Sequence, residues 1–257
     1  MSELVSSESF DVEKTYEYIL SIQVSLDGFS FSIHSQQQNI LALKSTQLKI
    51  SNTVLISRRF NDWLESEELI KRPFKKIRVF VFSNKFTLIP EKYYLDTLKQ
   101  KVASLLFEEN SELEIAENVI SKLSTRLIFA LPTGLNNVIA EQIGECEIVH
   151  PIKTILNSLP KTFKENGLVL LFDVKDFYIV LFRKDKVLLI NNFKMTHVND
   201  VVYYILTTLK QLEIPTSKTS LHITDSINKL PEIENSLKTY FNEIEKLELI
   251  PFKLELA

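Results

Sequence analysis

The fold is decided by the stretch from Tyr18 to Ile33, which reads YILSIQVSLDGFSFSI. Apolar side chains alternate with polar or small ones on both sides of Asp27-Gly28, and this period of two predicts two strands with one buried face. An Asp-Gly pair between two such runs is typical of a tight hairpin turn. The segment from Ile40 to Lys44 continues the pattern after a polar loop. The sequence therefore predicts a meander of three antiparallel strands.

The same pattern returns 148 residues later, from Gly167 to Phe193, with Phe29 aligned on Phe177. Further apolar pairs at this offset are Ile22 with Leu170, Val24 with Phe172, Phe31 with Ile179, Ile33 with Leu181, Ile40 with Leu188 and Leu41 with Leu189. In each half a helix, a strand, a helix and a strand are predicted to follow the meander. A supersecondary order that recurs in this way indicates a duplicated unit. We therefore predict an α/β protein built from two βββαβαβ units.

This pattern also predicts how the chain is organised. The predicted parts are a flexible N-terminal tail over residues 1–14, a first half over residues 15–150 and a second half over residues 151–257. The repeat itself is expected to cover about residues 15–131 and 166–250. The strands Lys76–Phe82 and Thr219–Ile223 should then occupy equivalent positions in their sheets.

The first half contains two stretches with helical periodicity. One runs from Arg58 to Ile70, and the other begins at Pro90 and continues through Phe107. Proline favours the first turn of a helix, because its missing N–H has no partner there in any case. Two more strands, around Ile115–Ile120 and Arg126–Leu131, are expected after the second helix and are predicted to belong to the repeat.

The composition excludes several classes of protein. The net charge is −3, which argues against a nucleic-acid partner. No apolar run approaches the roughly 20 residues that a membrane span requires, and residues 1–10 lack the features of a signal peptide. The single cysteine, Cys146, fits a reducing compartment. We expect a cytoplasmic protein that binds neither nucleic acid nor membranes.

Glycine is scarce. The 257 residues contain four glycines, at positions 28, 134, 144 and 167, whereas average usage of about 7% would give roughly eighteen. Turns that cradle a phosphate need glycine, because backbone amides must approach the ligand closely and often at positive φ. The chain therefore has little material for such turns.

The predicted plan resembles that of the actin, hexokinase and heat-shock ATPase superfamily. The resemblance extends to residues 127–163, which read LIFALPTGLNNVIAEQIGECEIVHPIKTILNSLPKTF and are similar to the segment that connects the two halves in that superfamily. The whole chain also resembles a bacterial family of uncharacterised proteins described as having an actin-like ATPase fold. The resemblance implies an actin-like ATPase (ribonuclease H-like) fold.

The superfamily's phosphate-binding positions are altered in the first hairpin. Its turn there reads Asp-x-Gly followed by Ser, Thr or Gly, whereas Ser25 stands where the repeat register places the aspartate. A shifted register brings Asp27 and Gly28 into the turn, but Phe29 and Ser30 follow in place of a second glycine. The resemblance thus implies a degenerate site at Ser25, Asp27 and Gly28.

The second half shows the same losses. Asp173 occupies the position of the aspartate that holds a metal-bound water in the superfamily, but Lys175 replaces the glycine two residues later. The Gly-Gly turn before the next helix reads KMTH at Lys194–His197, and the glycine-rich adenosine turn reads TDSINK at Thr224–Lys229. Lys175 could also bind phosphate as a point charge.

Other chemistry is not visible in the sequence. His34, His150, His197 and His222 show no metal-ligand spacing and are expected at the surface or at element boundaries. No nucleophile motif and no P-loop occur, and no Ser–His or Cys–His pair can be inferred from spacing alone.

The sequence therefore predicts a non-catalytic, actin-like binding or scaffold protein, a pseudo-ATPase without cofactor or metal, whose partner is another protein. The alternative is an enzyme, an ATP-dependent phosphotransferase or ATPase with an atypical phosphate cradle. In that alternative Asp173 would hold the magnesium-bound water.

Overall fold

The computed structural model describes residues 3–50, 52–107, 114–158, 163–173, 176–224 and 230–247. Contacts divide the chain into two compact units after Ser158. The sequence-based boundary at residue 150 lies just before the helix Pro151–Ser158, which the contacts group with the first unit.

The first unit combines one large and one small sheet. Its strands are β1 Val5–Ser6, β2 Ile19–Ser25, β3 Gly28–His34, β4 Ile40–Gln47, β5 Lys76–Val81, β6 Phe86–Pro90, β7 Glu114–Ile120, β8 Thr125–Leu131 and β9 Glu147–Val149. Its α-helices are α1 Ile56–Ser66, α2 Asp96–Leu106, α3 Leu135–Gln142 and α4 Pro151–Ser158. The large sheet has the strand order β1-β4-β3-β2-β5-β9.

The meander predicted from the alternating pattern is present. Strands β2 and β3 pair antiparallel, with Ile22 opposite Phe31, and β5 runs parallel to β2. The rings of Phe60 and Trp63 on α1 lie 5.2 and 5.5 Å from that of Phe29 on β3. Burial of these aromatic side chains attaches α1 to the meander.

The small sheet, in the order β6-β8-β7, corrects the predicted extent of the repeat. Strands β7 and β8 were expected in the repeat, but β8 pairs with β6 and β7, and α2 packs on this sheet through Ala103 and Phe107. The last strand of the repeat in the large sheet is instead β9, which pairs parallel with β5. The alternation of apolar and polar residues predicts a strand but does not indicate to which sheet that strand belongs.

The helix predicted from Pro90 begins later. Pro90 ends β6 with φ −55° and ψ 135°, and α2 starts at Asp96. The Glu91 amide donates to the Ser124 carbonyl at 2.8 Å, which holds the chain beside β8. The fixed φ of proline is compatible with extended backbone as well as with a first helical turn. Pro90 by itself therefore does not distinguish the end of a strand from the start of a helix.

The N-terminal segment differs from the predicted flexible tail. Val5 and Ser6 pair antiparallel with Leu43 and Ala42 of β4. The expected tail thus contains a short strand at the edge of the large sheet.

The described part of the second unit forms one sheet and two α-helices. Its elements are β10 Asn166–Phe172, β11 Asp176–Arg183, β12 Lys186–Lys194, α5 Val198–Gln211, β13 Thr219–Thr224, α6 Leu230–Leu237 and β14 Ile244–Leu247. The strand order β12-β11-β10-β13-β14 repeats the order β4-β3-β2-β5-β9 of the first unit. The predicted equivalence of β5 and β13 is confirmed, because β13 pairs parallel with β10 as β5 pairs with β2. The last strand of the repeat, β14, begins at Ile244, and residues 248–250 of the predicted repeat lie outside the described residues.

The 148-residue offset holds for the first two strands and fails for the third. Leu170 lies opposite Ile179 as Ile22 lies opposite Phe31. In the third strand Leu181 pairs with Leu189, whereas Ile33 pairs with Ala42 rather than Leu41. Nine residues separate Ile33 from its partner Ala42, but only eight separate Leu181 from its partner Leu189. The connection between the second and third strands is therefore one residue shorter in the second unit, and the third strands align at an offset of 147 residues.

The core of the second unit lies between one sheet face and helices α5 and α6. Leu170, Ile179, Ile205 and Leu237 are each fully buried in it. Among the described residues, no helix is both long enough and apolar enough to cross a membrane.

Candidate functional site

The positions singled out in the sequence lie where parallel strands end. Ser25, Asp27 and Gly28 lie at the β2–β3 turn, and Asp173 follows β10. The segment 194–197 follows β12, which runs parallel to β10, so it lies at the same edge of the second sheet. Ligands of open α/β sheets bind at the carboxyl ends of the strands. Lys175 and residues 225–229 of the expected adenosine turn lie outside the described residues.

The first hairpin turn uses its polar groups internally. The Asp27 amide donates to Ser25 Oγ at 3.2 Å. The carbonyls of Leu26 and Asp27 accept from the amides of Ile50 and Leu48 at 3.0 and 2.9 Å. The turn is thereby fixed to the segment after β4, and the Asp27 amide already has an acceptor.

Gly28 is required by packing within the first unit. Its φ is +133°, and a Cβ there would lie 2.1 Å from the Thr46 carbonyl oxygen and 2.8 Å from the Leu48 nitrogen. The space that a side chain would occupy is therefore taken by the protein's own backbone. A glycine in this hairpin turn need not indicate a bound phosphate.

Asp173 is half-buried at the β10–β11 turn, and its amide donates to the Asp176 carbonyl at 2.8 Å. Burial raises the pKa of Tyr178 well above its ordinary value, and the carboxylates of Asp173 and Asp176 add to this effect. These two acidic side chains therefore lie within electrostatic reach of one buried phenol.

The turn before α5 is closed by an aspartate of the helix itself. Asp200 Oδ2 accepts from the amides of Thr196 and His197, both at 2.8 Å. These two hydrogen bonds hold the pKa of Asp200 below its ordinary value. The amides of the segment expected to bind phosphate thus have a carboxylate of the chain as their acceptor.

Two other helices begin in the same way. The carboxylate of Glu114 accepts from the amides of Gly134 and Asn136 at the start of α3. His150 Nδ1 accepts from the Ile152 amide at 3.2 Å at the start of α4. A helix N-terminus attracts anions through its unpaired amides, and at α3, α4 and α5 a side chain of the chain itself already accepts from these amides.

Three of the histidines are buried, with exposures of 4%, 0% and 7% for His34, His150 and His222. His34 ends β3 and His150 lies between β9 and α4, so both stand at element boundaries as expected, whereas His222 lies inside β13, which corrects the expectation for that residue. Burial lowers the pKa of His150 to about 4, against a smaller opposite effect of its hydrogen bond to the Ser83 carbonyl. A neutral ring can accept from one amide and donate to one carbonyl, which is the arrangement seen here.

Sequence reasoning missed Glu114, His150 and Asp200. Asp200 had a local signal, since an acidic residue three places after a helix start is typical of a capping box. His150 had a weaker one, because it stands immediately before a proline that opens a helix. Glu114 lies 20 residues before Gly134, and no local pattern could have found it. Within the described ranges, no group of three or more His, Cys, Asp or Glu residues could hold a metal ion.

Two sheets with the same strand order, each with a meander followed by parallel strands, define an α/β protein of the actin-like ATPase fold. A protein of that fold and of unknown function from Bacteroides thetaiotaomicron matches with a TM-score of 0.79 and 21% identity, covering 94% of this chain and 96% of that chain. A chain of a PilM–PilN type IV pilus biogenesis complex matches with a TM-score of 0.51 and 13% identity, covering 89% and 88%.

The chain belongs to a family described as protein of unknown function (DUF3822), whose model matches residues 7–244. The recognition of an uncharacterised family with an actin-like ATPase fold is thereby confirmed. No curated protein matches the chain.

Proposed function

We propose that this protein is an actin-like binding or scaffold protein whose nucleotide cleft is non-catalytic, so that it recognises another protein and does not turn over ATP. The observation that carries the proposal is the pair of 2.8 Å hydrogen bonds from the Thr196 and His197 amides to Asp200. A phosphate at this helix start would have to displace a carboxylate that already makes charge-assisted hydrogen bonds. It would also meet the negative charge of that carboxylate.

The hairpin turns support the same proposal. The amides of Asp27 and Asp173 donate to Ser25 Oγ and to the Asp176 carbonyl, within their own turns. Amides that are used in this way cannot reach a ligand unless the turn is rearranged. The segment Lys194–His197 contains no glycine either, so its own rearrangement around a phosphate would be costly, because other residues rarely adopt positive φ.

The partner proposed is a protein, and the proposed location is the cytoplasm. A net charge of −3 gives no electrostatic support for a nucleic-acid or membrane partner. The fold is also found in a PilM–PilN type IV pilus biogenesis complex, so this architecture is present in a protein assembly. The proposed partner would remain bound to this protein through purification from native lysate, at a constant ratio.

One observation favours the alternative, an ATPase or phosphotransferase. Asp173 lies at the carboxyl end of β10, where a metal-water ligand of this fold is expected. The two functions make opposite predictions for nucleotide binding.

Thermal unfolding of the full chain with millimolar Mg-ATP tests the proposal. A ligand at about 100 times its dissociation constant adds about 2.7 kcal/mol to the free energy of unfolding, which raises the midpoint of a chain of this size by about 5–10 °C. We expect no shift in the wild type or in Asp173→Ala. The control is Asp185→Ala, which changes an exposed aspartate in the β11–β12 turn. A shift that disappears in Asp173→Ala and persists in Asp185→Ala would establish the enzyme alternative instead.

A further inference from the structure

A pocket of about 420 Å³ lies at the opposite edge of the second sheet, beside the amino ends of β10, β13 and β14. Its lining includes Phe163, Asn166, Ser220, His222 and Glu245, all within the second unit. This edge is separate from Asp173 and from the start of α5, so its chemistry is independent of any nucleotide site.

The sheet brings three polar side chains of this pocket into line. Ser220 and His222 are two residues apart on β13 and therefore project from the same face. His222 lies directly opposite Glu245 in the parallel β13–β14 pairing. His222 Nε2 is 3.2 Å from Ser220 Oγ, and His222 Nδ1 is 3.2 Å from Glu245 Oε2.

These distances define the state of the imidazole. A carboxylate on Nδ1 favours the tautomer with the proton on Nδ1, which leaves the Nε2 lone pair directed at the serine hydroxyl. Burial lowers the pKa of His222, while the carboxylates of Glu245 and Glu243 oppose that change. The ring is therefore a neutral base at pH 7, and the Phe163 ring, 5.3 Å away in an edge-on arrangement, packs against it.

The serine is held beside this base. Ser220 Oγ also lies 3.3 Å from the Asn166 carbonyl on β10, so its proton has two acceptors within reach. Rotation of the hydroxyl toward Nε2 gives the arrangement in which a histidine can take the proton as Oγ attacks. The Glu245 side chain is 65% exposed, which leaves that side of the pocket accessible to solvent.

We propose that Ser220, His222 and Glu245 form a nucleophilic site that hydrolyses small carboxylic esters. Ser220 Oγ bonds to the ester carbonyl carbon as its proton moves to His222 Nε2. The C–O bond to the alcohol then breaks, and the alcohol leaves with the proton from Nε2. Water adds to the acyl-serine with His222 again accepting a proton, and Ser220 is regenerated as the acid departs. Lys164 also lines the pocket.

The test uses the full-length protein, a fluorophosphonate probe and p-nitrophenyl acetate. We expect the probe to label Ser220, as located by peptide mass spectrometry, and the ester to be hydrolysed. Ser220→Ala abolishes both signals. Glu245→Gln lowers the rate of ester hydrolysis by about 10²-fold or more, since it removes the group that orients the base. Ser236→Ala is the matched control, because Ser236 lies on α6 outside the pocket lining and its hydroxyl donates to the Glu232 carbonyl, and it retains both signals.

The pH profile distinguishes a proton-accepting role from a structural one. The rate in the wild type rises with pH through the pKa of His222. In Glu245→Gln that inflection moves to lower pH, because Glu245 raises this pKa. Thermal unfolding of each variant confirms that it is folded. Folded wild-type protein that is not labelled at Ser220, or labelling and hydrolysis that are unchanged in Ser220→Ala, would overturn the proposal.

Discussion

At the scale of single residues, backbone amides of turns and helix starts are paired with side chains of the same chain. Ser25, Glu114 and Asp200 each accept from at least one amide that a ligand could otherwise use. Each contact also stabilises the turn or helix that it caps, typically by about 0.5–2 kcal/mol for a neutral cap. At these positions the contact that stabilises the turn or helix also occupies the amide, which is the basis of the proposed function.

The first residue-scale prediction concerns Gly28. Gly28→Ala should lower the free energy of unfolding by about 4 kcal/mol or more, because the new Cβ meets the Thr46 carbonyl and the backbone is strained at φ +133°. Gly144→Ala is the control, since Gly144 also has positive φ but an added Cβ there would meet nothing within 4 Å. It should cost about 1–2 kcal/mol. Urea unfolding measures both, and equal losses would contradict the packing role of Gly28.

The second residue-scale prediction concerns His34 and acid. Burial lowers its pKa from 6.5 to about 4, with a further contribution from Arg78, and Nδ1 has no hydrogen-bond partner among the described residues. The unfolded chain therefore binds a proton between pH 6.5 and 4 that the folded chain does not bind. The resulting stability is complete above pH 6.5 and is lost as the pH falls toward 4.

Replacement of His34 should reduce this acid sensitivity. When the pH is lowered from 7.5 to 4.5, the free energy of unfolding should fall by about 2 kcal/mol less in His34→Gln than in the wild type. Ser32→Ala removes the 2.7 Å contact to Nε2 but keeps the buried histidine, and it should retain the wild-type pH dependence. Identical pH dependence in His34→Gln and the wild type would show that His34 does not titrate in this window.

At the scale of elements, the N-terminus of α5 is capped by an acidic side chain of the helix itself. The helix has 14 residues, and the amides of the turn that precedes it point toward Asp200 rather than toward an open site. An acidic side chain in the first turn stabilises a helix through its dipole. Removing that side chain should leave these two amides available to an anion.

Asp200→Ala tests this inference. The variant should unfold at a lower temperature than the wild type at pH 7, because two amides lose their acceptor. Sulfate is compared with sodium chloride of equal ionic strength. Relative to that reference, sulfate should raise the midpoint of thermal unfolding more in Asp200→Ala than in the wild type. Asp185→Ala should respond to sulfate as the wild type does. An equal response of all three proteins would mean that Asp200 does not occupy an anion-binding position.

At the scale of the whole molecule, the proposed function predicts how the protein assembles. Without nucleotide binding, no ATP-driven change can promote polymerisation, so we expect a monomer or small oligomer in all nucleotide states. Sedimentation of the full chain with and without Mg-ATP should give the same distribution. Material that pellets only with ATP would contradict both this prediction and the proposed function.

The sequence by itself determined the meander, its repetition and the α/β class. Alternation on both sides of Asp27-Gly28 fixes which face of each strand is buried, and this is a local property of the chain. The scarcity of glycine was also visible at once. The same local signals could not assign β7 and β8 to their own sheet, or detect that the third strand of the repeat is shifted by one residue.

Only the tertiary structure decided which groups meet. The pairing of Glu114 with Gly134, and of Ser220 and His222 with Glu245, depends on register between segments that are far apart in the chain. Contacts of this kind arise from the packing of whole elements and leave no periodic trace in the sequence. For this protein, the sequence therefore determines the repeated meander and the α/β class, while the tertiary structure determines the sheet that β7 and β8 join, which amides are occupied and which polar side chains lie in a pocket.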